Sequence, residues 1–308
     1  MNKIIVSILV GLISLSQAFA QMNFQDSSVQ IISYWDLGEK YEYSISHQRM
    51  QYGGEGDTLL NESMTYEVEV SVIDSASDAY IVSWLYKNFK SDSKNPYVQK
   101  LASVSEDIAI EIKLDELGMI EGIVNWEEVR DYMSAAFDTL LRELPNIPDL
   151  KKMVSGMKAN YSSKESIEAS AIQDAQQFHN FHGGKFTLNE KVRGQIQTAN
   201  IYFPDKPFDT EVLVMVEELD EKNNEYRIRS INEVNATQLA DATYQYLSNT
   251  LGKLNPDLPT REDFNDLSNS IETVSRIHNT GWVLESILWK EFVSNGITHM
   301  EIRSIRMK

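Results

Sequence analysis

Cysteine is missing from this sequence of 308 residues. Its absence excludes disulfides, thiol catalysis and thiolate metal sites. The chain must hold together through its core, and it is long enough to bury one. Positive charge is also scarce. Lys and Arg number 28 against 46 Asp and Glu, for a net charge of −18. So acidic a protein grips a phosphate backbone only through a strong local basic patch. The one basic cluster, RSIRMK at residues 303–308, alternates as a strand face does. Nucleic acid is therefore a poor partner, and the charge reads as solubility and self-repulsion.

Long hydrophobic runs are absent after the first twenty residues. MNKIIVSILVGLISLSQAFA has Lys3, an apolar run from Ile4 to Leu15, and small residues at Ala18 and Ala20. That is the pattern of a signal peptide, with cleavage expected between Ala20 and Gln21. The run falls short of the ~20 residues that span a bilayer. A lipid anchor would need a cysteine just after the cleavage point. Residues 1–20 thus read as a leader. Residues 21–308 read as a mature chain without a transmembrane segment, exported to the periplasm or beyond the cell.

Signatures of catalysis are equally sparse. No GxSxG elbow and no GxxxxGK[ST] phosphate loop occurs. GGEG at residues 53–56 has neither a following helix nor a lysine. Acidic pairs recur at Glu127/Glu128, Glu217/Glu218, Asp220/Glu221 and Glu262/Asp263. Such pairs suit helix starts and turns, and with this many acids their adjacency carries little information. DEKNNE at 220–225 lacks the glycine and the spaced acids of a calcium loop and reads as a hairpin turn. His179 and His182, in FHNFH, stand one helical turn apart, a spacing that can ligate metal. Further ligands are lacking nearby, and a helix end accounts for both, since histidine suits the C-terminal dipole. His47, His278 and His299 are isolated. Accordingly no catalytic, cofactor-binding or metal residue is nominated, and no cofactor is implied.

What the sequence does have is alternation and amphipathic stripes. In MTYEVEVSVID, Tyr66, Val68, Val70 and Val72 face one way and Glu67, Glu69 and Ser71 the other. AYIVSWLYKNF reads as the returning strand, and residues 108–124 as a hairpin turning at Gly118. Asn125 and Glu128 fit a capping box before a helix whose stripe is Trp126, Val129, Met133, Ala136, Phe137, Leu140 and Leu144, ended by Pro145 and Pro148. Ser162 and Glu165 suggest a second box. Gly183 is placed as the C-cap of the helix carrying the histidines.

The second half repeats this order. LNEKVRGQIQT at 188–198 echoes LGEKYEYSISH at 37–47, and NTGWVLESILWKEF at 279–292 echoes ELGMIEGIVNWEEV at 116–129. The two Gly hairpins should therefore correspond, with Trp126 and Trp289 in related positions. A helix from about Ala236 to Leu254 would account for the longer second half. Asn235 and Gln238 would cap it, and Leu239, Thr243, Leu247, Leu251 and Leu254 would form its stripe. The expected fold is α+β: a curved, mostly antiparallel β-sheet in two similar halves with amphipathic helices packed on one face. The halves cover about 21–147 and 185–308 of a single domain and are joined by a helical segment, 148–184.

The leader, GEKYEY, the alternating strands, the D-x-x-G hairpin and the covering helices together resemble uncharacterised exported proteins of Gram-negative bacteria. The element order is also similar to the lipoprotein-carrier superfamily, whose curved sheet and helices enclose an apolar cavity. Neither resemblance supplies catalytic residues. The leading expectation is non-enzymatic binding of an apolar or lipid-like small molecule. Tyr34, Trp35, Tyr41 and Tyr43 could line such a site or simply pack the sheet. An envelope or surface module that binds another protein, without a cavity, is the alternative. A hydrolase with an unfamiliar carboxylate or histidine site comes third.

Overall fold

The structure, a computed structural model, describes residues 22–76, 78–94, 96–143, 148–251 and 259–308. Residues 1–20, expected to be a leader, and Leu144, Pro145 and Leu254 of the expected helices lie outside these residues. In chain order the elements are β1 (Met22–Asn23), β2 (Ser28–Gln30), β3 (Lys40–Tyr52), β4 (Thr58–Ala76), β5 (Ala79–Ser91), α1 (Pro96–Ala102), β6 (Ala109–Asp115) and β7 (Ile120–Ile123). Four helices follow: α2 (Trp126–Glu143), α3 (Pro148–Ala159), α4 (Lys164–Ser170) and α5 (Gln173–Phe178). Then come β8 (Lys185–Thr187), β9 (Val192–Thr198), β10 (Phe208–Asp220), β11 (Glu225–Val234), α6 (Ala236–Leu251), β12 (Ser268–His278), β13 (Val283–Ser294) and β14 (Ile297–Met307).

Among the described residues, eleven strands form one antiparallel sheet in the order β7-β6-β5-β4-β3-β14-β13-β12-β11-β10-β9. Its middle seam joins β3 to β14, elements from opposite ends of the chain. Alternation in β4 behaves as the sequence implies: Tyr66, Val68, Val70 and Val72 are all buried. The sheet is strongly curved. The Gly118 and Gly281 turns belong to hairpins six strand spacings apart, roughly 29 Å in a flat sheet at ~4.8 Å per strand. Yet Ser33 N–H donates to Leu117 O (3.3 Å) and the next residue, Tyr34, donates to Thr280 O (3.0 Å). The sheet curls until both turns flank one extended segment, residues 31–35. A small sheet, β1-β2-β8, lies beside that segment.

The helices cover the concave face. Val129, Met133, Phe137 and Leu140 of α2 are buried, each contributing about 1.5–3 kcal/mol by leaving water. α5 is a short plug. Its Phe178 meets Tyr43 and Trp84 edge-on, with ring centroids 5.5 and 5.4 Å away. A second, smaller core gathers Phe208, Leu239, Ala240, Phe264 and Leu267 around α6.

Several local expectations change. Asn125 does not cap α2 with its side chain. Its amide bridges back to β6, accepting from Glu111 N (2.9 Å) and donating to Ala109 O (3.0 Å). The box before α4 is Ser163 with Ser166, one residue later than the spacing suggested. Pro148 starts α3, where its missing N–H costs nothing. Asn235 Oδ1 does cap α6 at Gln238 N (3.0 Å), but the Gln238 side chain turns to Asp209 instead of completing a box. Trp126 opens α2, whereas Trp289 lies inside β13. The tryptophan that closes the second hairpin is Trp282, stacked on Trp35 at 4.2 Å.

Candidate functional site

The two histidines singled out by spacing do come together. Their ring centroids are 4.9 Å apart, and each residue is only 5 % exposed. α5 stops at Phe178, so His179 takes the C-cap and Gly183 falls beyond it, in the turn whose N–H reaches Ile31 O (2.8 Å). Trp35, Trp84 and Phe178 stand around them, and Trp282 packs on Trp35 and Phe178 behind. His182 Nε2–H donates to Gly281 O (3.0 Å), while His182 Nδ1 and both nitrogens of His179 lack a well-formed hydrogen bond. Burial drives His182 down to about 4, opposed by the Gly281 carbonyl. Burial, and then the neighbouring His182, drives His179 well below the ordinary histidine range. The helix dipole favours cationic rings by about 0.3–1 kcal/mol, and desolvation outweighs it. Both rings are neutral at pH 7. Among the described residues no group of three or more His, Asp or Glu is arranged to hold a metal ion. The pair forms a sealed floor. Gly281 explains its tightness: at φ +87° an added Cβ would stand 2.4 Å from the Ile32 carbonyl oxygen.

Above this floor the concave face changes character in three rows. Ile305, Ile45 and Tyr66 are cross-strand partners on β14, β3 and β4. Two residues further out come Arg303, His47 and Met64, and then Glu301, Arg49 and Glu62. Period-two alternation puts all three rows on the same face. The middle row is knitted to α5. Asp174 Oδ2 accepts from Tyr66 OH (2.7 Å), and Asp174 Oδ1 lies 3.3 Å from Arg303 Nε. Arg303 Nη2 also donates to Gln173 Oε1 (2.6 Å). Burial, reinforced by the Asp174 carboxylate, raises the Tyr66 phenol well above its usual range and keeps it a donor. His47 Nε2 meets Glu301 Oε1 at 2.5 Å, and that bond holds the Glu301 carboxyl at about 2 despite partial burial.

Two adjoining cavities lie between these rows and the helices. The inner one, about 220 Å³, reaches from Asp174 and Arg303 past Tyr66, Tyr86 and Phe89 to Met133 and Tyr161. The outer one, about 340 Å³, is walled by Val98 and Ala102 of α1, Met153 and Met157 of α3, and Arg49 and Glu62 of the sheet. His47 and Met64 line both. Together they make a space of the size that small-molecule sites occupy. Tyr34 and Tyr41 are solvent-exposed, while Trp35 and Tyr43 pack the core, so none of the four lines this space.

Most acidic pairs are structural. Glu217 pairs with Arg229 and Glu218 with Arg227. Asp220 closes its turn on the Lys222 and Asn223 amides, as a hairpin reading of DEKNNE requires. Asp263 caps Thr260. The residues that shape the cavity, Asp174, Arg303, His47 and Glu301, were not nominated from sequence. The signal available was polar residues continuing the inward-facing register of β3 and β14, where hydrophobic residues would be expected.

No described helix is long and apolar enough to cross a membrane. No protein-family model matches the sequence, and no curated protein is significantly similar to it. Among solved structures, lipovitellin is similar at 9 % identity with a TM-score of 0.39, over 89 % of this chain and 25 % of lipovitellin. The chain thus spans about a quarter of that protein. A Bacteroides fragilis protein with a YmcC-like fold, described as exported, is 7 % identical over 90 % of this chain and 99 % of its own, with a TM-score of 0.24. A Parabacteroides distasonis protein described as a lipoprotein is 8 % identical over 91 % of this chain and 100 % of its own, with a TM-score of 0.23.

Proposed function

We propose that this is an exported protein that binds an apolar, lipid-like molecule between its helical layer and the concave face of its sheet. The observation that carries the reading is the pair of adjoining cavities, walled by Met64, Met133, Met153 and Met157 together with aromatic rings. Methionine is unbranched and polarizable, and it adapts to ligands of varied shape. Met153 and Met157 are 47 % and 38 % exposed, so the outer wall is an entrance. Purification under native conditions, solvent extraction and mass spectrometry should recover a bound apolar molecule. A neutral naphthylamine dye should bind the emptied protein, and Met157→Glu should weaken that binding at least fivefold. A dye that ignores the folded protein, with nothing extracted from it, would overturn the reading in favour of a contact-only envelope module.

The same reading takes residues 1–20 as the leader and 21–308 as one domain of two similar halves. The two hairpins support the halves. In one, Asp115 Oδ1 accepts from Leu117 N and Gly118 N–H returns to Asp115 O. In the other, His278 Nδ1 accepts from Thr280 N and Gly281 N–H returns to His278 O. The hydrolase alternative keeps one favourable observation, the His47–Glu301 pair beside Asp174 at the junction of the cavities. Turnover of ester or glycoside substrates that disappears in His47→Gln would favour it.

A further inference from the structure

We infer that the outer cavity selects a single-chain amphiphile with an anionic head, a carboxylate or a phosphate monoester, and that Arg49 holds that head. The inference rests on the ligand reading above and narrows it to one chemical class.

The three rows of the concave face supply the argument. In the middle row the polar side chains are committed: Arg303 to Asp174 and Gln173, and His47 to Glu301. Arg49 differs. Its direct cross-strand neighbours are acids on both sides, Glu62 on β4 and Glu301 on β14. Two such neighbours would ordinarily capture a guanidinium. Glu301 instead turns inward to His47, and Glu62 accepts from Ser93 Oγ at 3.5 Å. Among the described residues Arg49 forms no ion pair. Arg49 lines the cavity that Met153, Met157, Val98 and Ala102 wall on the helix side.

A planar guanidinium matches the paired oxygens of a carboxylate or phosphate. Thioether and aliphatic walls a few ångströms away match a hydrocarbon chain. The combination describes an amphiphile whose head sits at the mouth and whose tail runs inward past Met64 toward Tyr66 and Phe89. The protein as a whole opposes this ligand, because a net charge of −18 repels anions at long range. Recognition must therefore be local. Salt, which screens the distant repulsion more than a contact at hydrogen-bond range, should strengthen binding of the anion.

The experiment is displacement of a neutral naphthylamine dye from the delipidated full-length mature protein by four twelve-carbon probes: dodecanoate, dodecyl phosphate, dodecanol and dodecyltrimethylammonium. The two anions should displace the dye at least tenfold more effectively than the alcohol or the ammonium. Whichever anion is stronger distinguishes a carboxylate head from a phosphate-monoester head. Arg49→Gln should remove the anion advantage and leave dodecanol unchanged, while Arg49→Lys should retain part of it. Arg49 is exposed, so these variants should fold normally. Equal displacement by acid and alcohol, an ammonium that binds best, or an Arg49→Gln protein indistinguishable from the parent would each overturn the inference and leave the cavity reading standing. If the dye and all four probes fail to bind, the cavity reading falls and this inference with it.

Discussion

At the scale of single residues, His182 has the clearest consequence. Its ring is neutral because burial holds it near 4, against about 6.5 in an unfolded chain. Between those values the unfolded state binds a proton that the folded state refuses. Stability is therefore fully present above about pH 6.5 and declines as the pH falls toward 4. For His182 alone the loss amounts to about 3 kcal/mol, and His179 adds to it in the same direction. Denaturant titrations at half-unit steps from pH 7 to 4 should show the decline. His182→Asn should be less stable at pH 7 and show a shallower slope. A parent protein equally stable at both ends of that range would refute the neutral, buried assignment.

At the scale of elements, α5 is the piece held by polar rather than apolar complementarity alone. Asp174 ties it to Tyr66 on β4 and to Arg303 on β14. Removing one partner of a buried ion pair strands the other charge, at a cost of about 3–5 kcal/mol. Asp174→Ala should lose stability on that scale and expose the amides of residues 173–182 to hydrogen exchange. Asp174→Asn, which still accepts from Tyr66, should lose less. Unchanged exchange in both variants would show that α5 is held without help from Asp174. The strands and α2 were readable because periods of two and 3.6 follow directly from which face is buried. The tie at Asp174 was not readable. It depends on bringing residues 66, 174 and 303 together, and no local pattern encodes a register between β14 and β3. The histidine spacing was visible, but the burial that keeps the pair neutral comes from Trp35 and Trp84, far from it along the chain. Capping boxes misled for a related reason. Asn125 satisfies backbone groups of β6 that become neighbours only after the hairpin forms.

At the scale of the whole molecule, one large core draws on both ends and the middle of the chain, from Ile31 and Trp35 through Phe178 to Trp282 and Ile305. The strand order gives β14 a place shared by no other strand. It comes after all the others in the chain, yet it lies in the interior of the sheet, between β13 and β3. During synthesis, then, the chain must wait. Five strands from β7 to β3 and five from β13 to β9 can assemble early, each leaving a long edge of unpaired backbone groups that invites foreign strands. The final dozen residues close both edges at once. Loss of residues 297–308 should therefore split the sheet into two aggregation-prone pieces instead of trimming its border. A synthetic peptide spanning 295–308, supplied during refolding, should restore soluble monomer. A truncated chain that stays monomeric unaided would show that the edges can wait indefinitely, and that the timing of the last strand does not matter.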